Sequence, residues 1–173
     1  SSVVVSDLRV VYKSNPVNVS WTGNMQDQTK WYNPDNGNGA SWSFSPAGLT
    51  FNVSASYHYV RTATQVTANI TETPTLKIEI PASTGLWSVK VDDGSGDIVL
   101  RPDAAGNGVF YLNVQGATGW SGVKSFHIKV YSISYGAPAS VTIKDMRLTN
   151  NLSVLTLWSG MGSGTSGWIK NNS

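Results

Sequence analysis

Apolar and polar residues alternate along most of this chain with a period of two, which is typical of β-strands, and no stretch keeps a helical period for long. The clearest predicted strand is 49–57, in which one face carries Leu49, Phe51, Val53, Ala55 and Tyr57. Other predicted strands have inward-facing Val66, Ala68 and Ile70; Leu76, Ile78 and Ile80; Trp87, Val89 and Val91; Ile98 and Leu100; Phe126, Ile128 and Val130; Val141 and Ile143. The stretches 109–114, 3–12 and 152–158 add further strands. The alternation therefore predicts an all-β protein.

Turn-forming clusters separate these strands. Segments 33–37, 92–94, 106–108 and 136–138 are rich in Gly, Pro, Asn and Asp. Many short strands at short spacing predict an antiparallel β-sandwich or barrel. The 173 residues show no repeat and no internal boundary, so we expect a single domain over 1–173, with 159–173 as a linker or as a tail that returns to pack.

The alternation of apolar and polar positions changes phase within one predicted strand. Val141 and Ile143 face inward, so Asp145 should also face inward, yet Met146 and Leu148 continue the apolar positions in the other parity. Either a bulge lies near Lys144 and Asp145, or the strand is buried on both faces. In both cases a carboxylate lies near the edge of the interior, where it needs a partner.

Composition limits the classes of function. Charged residues make up 13% of the chain, about half the usual share, and the net charge is +2 with basic residues dispersed. We therefore expect no nucleic-acid partner and no membrane partner. The absence of cysteine excludes disulfides, thiolate metal sites and cysteine nucleophiles. A surface made polar by Ser, Thr, Asn and Gly favours a secreted, extracellular protein.

Five segments between 74 and 148 stand in a characteristic order. They are Pro74-x-Leu76-x-Ile78-x-Ile80; Gly85 to Val91 followed by Asp93-Gly94; Gly108 to Leu112; Phe126-x-Ile128-x-Val130; and Ala139 to Leu148. This series resembles the galactose-binding-like superfamily of jelly-roll β-sandwiches, which secreted glycoside hydrolases carry as carbohydrate-binding modules.

The resemblance implies a fold, a function and a metal. It implies a jelly roll that binds a polysaccharide without catalysis, is covalently linked to a catalytic domain, and is a monomer. In many such modules an acidic residue of the last strand ligates a structural calcium together with groups near the chain start. Asp145 matches that position, and Asp7 is the partner that we expect for it. A β-linked glycan of the β-glucan type is the favoured ligand.

Sugar binding needs flat aromatic rings and planar polar groups, and 7 Trp and 7 Tyr supply the rings. Trp87 shares the parity of core residues and is assigned to the core. We predict that Trp31, Tyr32, Trp120, Tyr57, Tyr59 and Arg61 bind the ligand. The first three stand in turn-rich or small-residue surroundings, and the last three lie together along one stretch. The alternative for each ring is that it caps an end of the sandwich core.

Few residues suit catalysis. Glu72 and Glu79 are the only glutamates, and His58 and His127 stand singly; His127 should point outward beside Lys129 as a plain surface histidine. Asp92, Asp93 and Asp97 are explained by turn formation, with calcium as the alternative. We therefore expect no enzyme activity. Two alternatives stay open: a structural or adhesive extracellular β-sandwich, and a small jelly-roll glycan hydrolase or lyase.

Overall fold

The structure is a computed structural model that describes residues 17–54 and 56–150. Strands make up nearly all of its regular structure. They are β1 Val19–Thr22, β2 Trp31–Tyr32, β3 Ala40–Ser45, β4 Gly48–Val53, β5 Ser56–Thr62, β6 Val66–Asn69, β7 Thr75–Ile80, β8 Ala82–Thr84, β9 Leu86–Asp92, β10 Asp97–Ala104, β11 Gly108–Asn113, β12 Val123–Ser134, β13 Ala139–Ile143 and β14 Asp145–Thr149. A 3-10 turn spans Gln28–Lys30, and the short helix α1 spans Val114–Thr118.

The named strands pair antiparallel in three sheets. Two of them have four strands each, in the orders β1-β14-β7-β11 and β3-β4-β13-β8. The third is a six-stranded sheet in the order β10-β9-β12-β5-β2, with β6 pairing to the first part of β12. The long strand β12 is therefore central, because it binds β9 along one edge and both β5 and β6 along the other.

The core lies between the sheets and is filled by the residues that the alternation assigned to the inward faces of the strands. Residues from all three sheets belong to one buried cluster, which includes Phe51, Ile78, Trp87 and Phe126. Trp87 is fully buried, as predicted. Each such side chain contributes roughly 1.5–3 kcal/mol through the apolar area removed from water. The prediction of an all-β sandwich is confirmed.

The predicted strand 49–57 is in fact two strands. β4 ends at Val53, which pairs with Ala139 in a four-stranded sheet, and Tyr57 in β5 pairs with Ile133 in the six-stranded sheet. Ser56 has a φ of +66°, in the left-handed region that breaks an extended chain. The alternation of polar and apolar residues continues across this crossing, so the pattern alone gave no sign of it.

The predicted irregularity near Lys144 is confirmed. β13 ends at Ile143 and β14 begins at Asp145, and the two strands belong to different sheets. The backbone N–H of Lys144 donates to the carbonyl of Glu79 at 2.9 Å, which fixes the step between the sheets. A step of one residue shifts the buried parity, so Met146 and Leu148 enter the core while Asp145 stays at its edge.

Several sequence predictions fall outside the described residues. These are the strands 3–12 and 152–158, the segment 159–173 and the proposed ligand Asp7. The extent of the domain over 1–173 therefore stays a prediction. Among the described residues, no helix has the length and apolar character needed to cross a membrane.

Candidate functional site

The outer face of the six-stranded sheet carries four of the residues predicted to bind ligand. Side chains alternate across a strand, so Val60 and Thr62 of β5 point to the core while Tyr57, Tyr59 and Arg61 point outward. We call this surface the tyrosine face. It consists of Tyr57, Tyr59 and Arg61 of β5, Tyr32 of β2, Tyr131, Lys129 and His127 of β12, Lys90 and Asp92 of β9, and Asp97 of β10.

Three tyrosine rings cluster on this face because the strand register places them side by side. Tyr131 lies opposite Tyr59, and Ile133 lies opposite Tyr57. The ring of Tyr131 is 4.5 Å from that of Tyr57 and 5.0 Å from that of Tyr59, measured between centroids. Tyr131 is buried beneath its neighbours, whereas Tyr57 is 40% exposed. The cluster therefore presents the ring of Tyr57 to solvent, packed on the buried ring of Tyr131 in the central strand β12.

Two lysines and two aspartates hold the cluster in place. Lys129 Nζ binds Asp92 Oδ2 at 2.7 Å and Asp97 Oδ1 at 2.6 Å, and Lys90 Nζ lies 3.6 Å from Asp97 Oδ2. The hydroxyl of Tyr131 donates to Asp97 Oδ2 at 2.7 Å. Lys90 also lies 4.4 Å from the centroid of the Tyr131 ring, a cation–π distance. Each carboxylate of this network is therefore bound by cationic donors.

The pKa values of the network follow from these contacts. The hydrogen bond from Lys129, with those from the Gly94 and Gly96 backbone, lowers the pKa of Asp92 from 3.8 to about 2. Burial alone would raise the pKa of Asp97, but hydrogen bonds from Lys129 and Tyr131 bring it below its ordinary value. Both carboxylates are thus ionised at neutral pH.

A second group on the tyrosine face surrounds Arg61. Its guanidinium lies 4.9 Å from the centroid of the Tyr32 ring, and Tyr32 is 47% exposed. Nη1 of Arg61 lies 3.2 Å from the Thr62 carbonyl and 2.9 Å from each ring nitrogen of His127. Burial and the charge of Arg61 lower the pKa of His127, so its ring is neutral at pH 7. His127 points outward beside Lys129 as predicted, but it supports Arg61 and is not a plain surface histidine.

The prediction that Trp31 is available as a surface ring is wrong. Trp31 is 4% exposed, and its indole N–H donates to the carbonyl of Asn24 at 2.8 Å. The reason is parity within β2, where Trp31 faces the core and the next residue, Tyr32, faces outward. The two adjacent aromatics therefore have different environments, and only Tyr32 belongs to the tyrosine face.

The prediction that the Trp120 ring protrudes from its small-residue loop is also wrong. Trp120 is 9% exposed and packs on Phe126 with centroids 5.0 Å apart. Helix α1 ends at a left-handed Gly119 with a φ of +71°, which turns the chain so that the following ring folds back onto the core. The glycines around Trp120 permit this return, whereas the sequence interpretation took them as a sign of exposure.

Sequence reasoning did not predict a binding role for six residues of the tyrosine face: Tyr131, Lys90, Lys129, His127, Asp92 and Asp97. A signal for the first was present, because Tyr131 shares the outward parity of His127 and Lys129 in a strand predicted from Phe126, Ile128 and Val130. The lysines and Asp97 gave no such signal. Their roles depend on which strands become neighbours, and this is set by the topology.

The residues around Asp145 were tested for a fit to calcium. Lys77 Nζ binds Asp145 Oδ2 at 3.0 Å, and Arg147 Nη2 binds the same oxygen at 2.8 Å. Among the described residues, no group of three or more His, Asp or Glu is placed to hold a metal ion. The described neighbours of Asp145 therefore do not form a calcium site, and because Asp7 lies outside them the calcium prediction is left to experiment.

Comparisons with known proteins show the fold. No protein-family model matches the chain, and no curated protein matches it by sequence. One solved structure that it resembles is the low-affinity xylan-binding module CBM86 of Roseburia intestinalis, with a TM-score of 0.51, 13% identity and coverage of 78% of this chain and 96% of the other. Another is the mannan-recognising module TmCBM27, with a TM-score of 0.45, 13% identity and coverage of 80% and 100%. The likeness to the xylan-binding module shows that this chain has the jelly-roll β-sandwich fold that its sequence predicts.

Proposed function

We propose that the tyrosine face binds a β-linked polysaccharide and that the chain is a non-catalytic module of a secreted glycan-degrading protein. The observation that carries the proposal is the set of outward-facing rings on adjacent strands. Tyr57 and Tyr59 are two residues apart on β5, and Tyr32 lies opposite Arg61, two residues further along. At about 3.3 Å per residue, these positions extend over roughly 13 Å. That length suits several consecutive sugar rings.

The surroundings of the rings suit a glycan. A pyranose presents an apolar C–H face that packs on an aromatic ring and hydroxyl groups that need hydrogen bonds at its edge. The tyrosine face offers both, because exposed rings alternate with charged groups whose positions are fixed by ion pairs. The fold likeness to a xylan-binding module supports the same proposal. A β-glucan, a xylan and a mannan are the first ligands to test.

The charges of this face support the non-catalytic part of the proposal. A retaining or inverting glycosidase needs a carboxylic acid whose pKa is raised, so that it can protonate the leaving group. On the tyrosine face, the pKa values of Asp92 and Asp97 are lowered, because lysines bind both carboxylates. Neither of these two carboxylates is suited to act as the general acid.

Affinity electrophoresis with tyrosine variants tests the site. We expect a wild-type Kd on the order of 10 µM to 1 mM, because stacking competes with well-solvated hydroxyls. Tyr57→Ala and Tyr32→Ala should each weaken binding about fivefold, which corresponds to about 1 kcal/mol. Tyr135→Ala is the matched control, since Tyr135 is 76% exposed but follows the end of β12, outside the tyrosine face. Equal retardation of wild type and both face variants would exclude this face as the site.

The polysaccharide gels, together with two further measurements, separate the alternatives. A structural or adhesive domain should show no retardation in any polysaccharide gel and a defined oligomer in solution. A hydrolase or lyase should release reducing ends or unsaturated products from the panel. Attachment to a glycoside hydrolase is tested by reading the flanking sequence of the full-length parent protein.

A further inference from the structure

Arg61 differs from the other cations of the tyrosine face because no carboxylate of the described residues binds it. Lys129 binds both Asp92 and Asp97, and Lys90 lies within ion-pair distance of Asp97. Within residues 17–54 and 56–150, no ion pair involves Arg61; its polar contacts are the Thr62 carbonyl and the His127 ring. The face therefore has three cations against two carboxylates, and the unmatched charge is located at Arg61.

The guanidinium of Arg61 is nevertheless held in a fixed position. Nδ1 of His127 lies 3.0 Å from the Thr62 carbonyl, so it carries the proton and donates there, which leaves Nε2 to accept from Arg61 Nη1. The guanidinium also lies 4.9 Å from the centroid of the exposed Tyr32 ring. Both described hydrogen bonds use Nη1 alone. The N–H groups of Nε and Nη2 make no hydrogen bond to any described residue.

These two nitrogens form the edge that matches a carboxylate. An arginine presents parallel N–H donors that bind both oxygens of one carboxylate, and such charge-assisted pairs are about twice as strong as hydrogen bonds to neutral acceptors. A neutral hydroxyl uses one donor at a time and does not compensate the charge. A sugar that stacks on Tyr32 would place its ring substituents beside Arg61, because Tyr32 and Arg61 are paired across β2 and β5.

We propose that Arg61 recognises the carboxylate of a uronic acid, so that the preferred ligand is an acidic β-linked glycan such as a xylan with glucuronic acid side groups. This inference rests on the proposed glycan-binding function of the same face and specifies its ligand class. The uronate carboxylate binds the Nε and Nη2 edge while neighbouring sugar rings pack on the exposed tyrosines.

The test compares one polysaccharide in two forms: glucuronoxylan, and the same polymer after chemical reduction of its carboxyl groups to neutral hydroxymethyl groups. We expect the wild type to bind the carboxylated form about tenfold more tightly at low salt, and this preference should shrink at 0.5 M NaCl. Arg61→Gln should abolish the preference and keep the residual binding of the reduced polymer. Tyr57→Ala should weaken binding of both forms by a similar factor.

Two further variants make the outcome specific. Arg61→Lys keeps the charge and loses the planar edge, so it should lose most of the preference; full retention would overturn the carboxylate geometry. Lys144→Gln removes an exposed cation that is bound to Glu79 outside the tyrosine face and should leave the preference unchanged. A sulfated xylan bound as tightly as the glucuronoxylan would likewise show recognition of charge alone and overturn the proposal.

Failure of this inference is distinguishable from failure of the proposed function. Equal binding of both polymer forms by the wild type, still weakened by Tyr57→Ala, would overturn the role of Arg61 and keep the glycan site. If the wild type, shown to be folded by circular dichroism, bound neither form, both this inference and the proposed function would be overturned.

Discussion

Arg101 provides the sharpest test of how the sandwich is stabilised, because it is a buried cation that forms no ion pair within the described residues. Its Nη1 donates to the carbonyls of Trp87, Pro102 and Ala104, and its Nη2 donates to that of Ala105 at 3.0 Å. The guanidinium lies 3.5 Å from the centroid of the Trp87 ring. Burial lowers the pKa of Arg101 relative to a free arginine, although the group stays charged at any ordinary pH.

The expected cost of Arg101→Met follows from these contacts. A hydrogen bond from a charged donor is worth roughly 1.5–3 kcal/mol, and a desolvated cation–π contact about 2 kcal/mol. The carbonyls of residues 102–105 lie near the surface and can bind water in the variant, so only the buried bond to the Trp87 carbonyl is counted in full. Together these two contributions predict a loss of about 4 kcal/mol in the free energy of unfolding, of which methionine packing recovers little. For a chain of this length, that corresponds to a Tm lower by roughly 8–16 °C.

Urea denaturation followed by tryptophan fluorescence, together with calorimetry, measures this loss. Lys144→Met is the control, because it removes an exposed cation with one surface ion pair and should leave the free energy of unfolding nearly unchanged. Arg101→Lys keeps the charge but cannot reach four carbonyls, and it should lie between wild type and Arg101→Met. A loss below about 1 kcal/mol for Arg101→Met would refute the view that the guanidinium holds segment 101–105 against the core.

Three further predictions concern stability. Because the pKa of Asp92 is low, its ion pair with Lys129 stabilises the fold above about pH 4, and this contribution is lost as the pH falls toward 2. After allowance for solvent screening, Asp92→Asn should therefore lower the free energy of unfolding by about 1 kcal/mol at pH 7. The variant should also flatten the acid limb of a curve of stability against pH. Gly48→Ala should prevent stable folding, because the added Cβ would lie 2.1 Å from the carbonyl oxygen of residue 143. Gly94→Ala is the control, since Gly94 also has a positive φ but lies in open space. In thermal denaturation, Gly94→Ala should lower the free energy of unfolding by only about 1–2 kcal/mol. The calcium site expected at Asp145 predicts a Tm that falls with a chelator and recovers with calcium, and an unchanged Tm would remove that site.

The sequence was sufficient for the class of fold and for the core residues of the regular strands. In a segment such as Leu76–Ile80, alternation buries one face, so the inward residues follow from the period alone. The irregularity near Lys144 was also predictable, because a change of buried parity requires an extra residue. The same reasoning placed Tyr57 and Arg61 on one stretch of chain.

The composition of the candidate site was only partly predictable, because strand neighbours are decided by long-range pairing. Tyr131 and Tyr59 are 72 positions apart in the sequence and meet only because β12 pairs with β5. The errors at Trp31 and Trp120 have a common physical cause. Polar, glycine-rich surroundings were taken to mean exposure. The structure instead buries Trp31 through its parity in β2 and Trp120 through its packing on Phe126.

We expect ligand binding at the tyrosine face to leave the fold unaffected, because the core and the proposed binding surface use opposite parities of the same strands. In β12, Ile128 and Val130 fill the core while Lys129 and Tyr131 face outward. Removal of an exposed ring therefore leaves the core intact. The ion pairs of Lys129 hold the outward groups before any ligand arrives, so little side-chain entropy is lost on binding. A fixed face of this kind favours selectivity for a chain of defined shape, and the open edge of Arg61 adds to it a preference for charge.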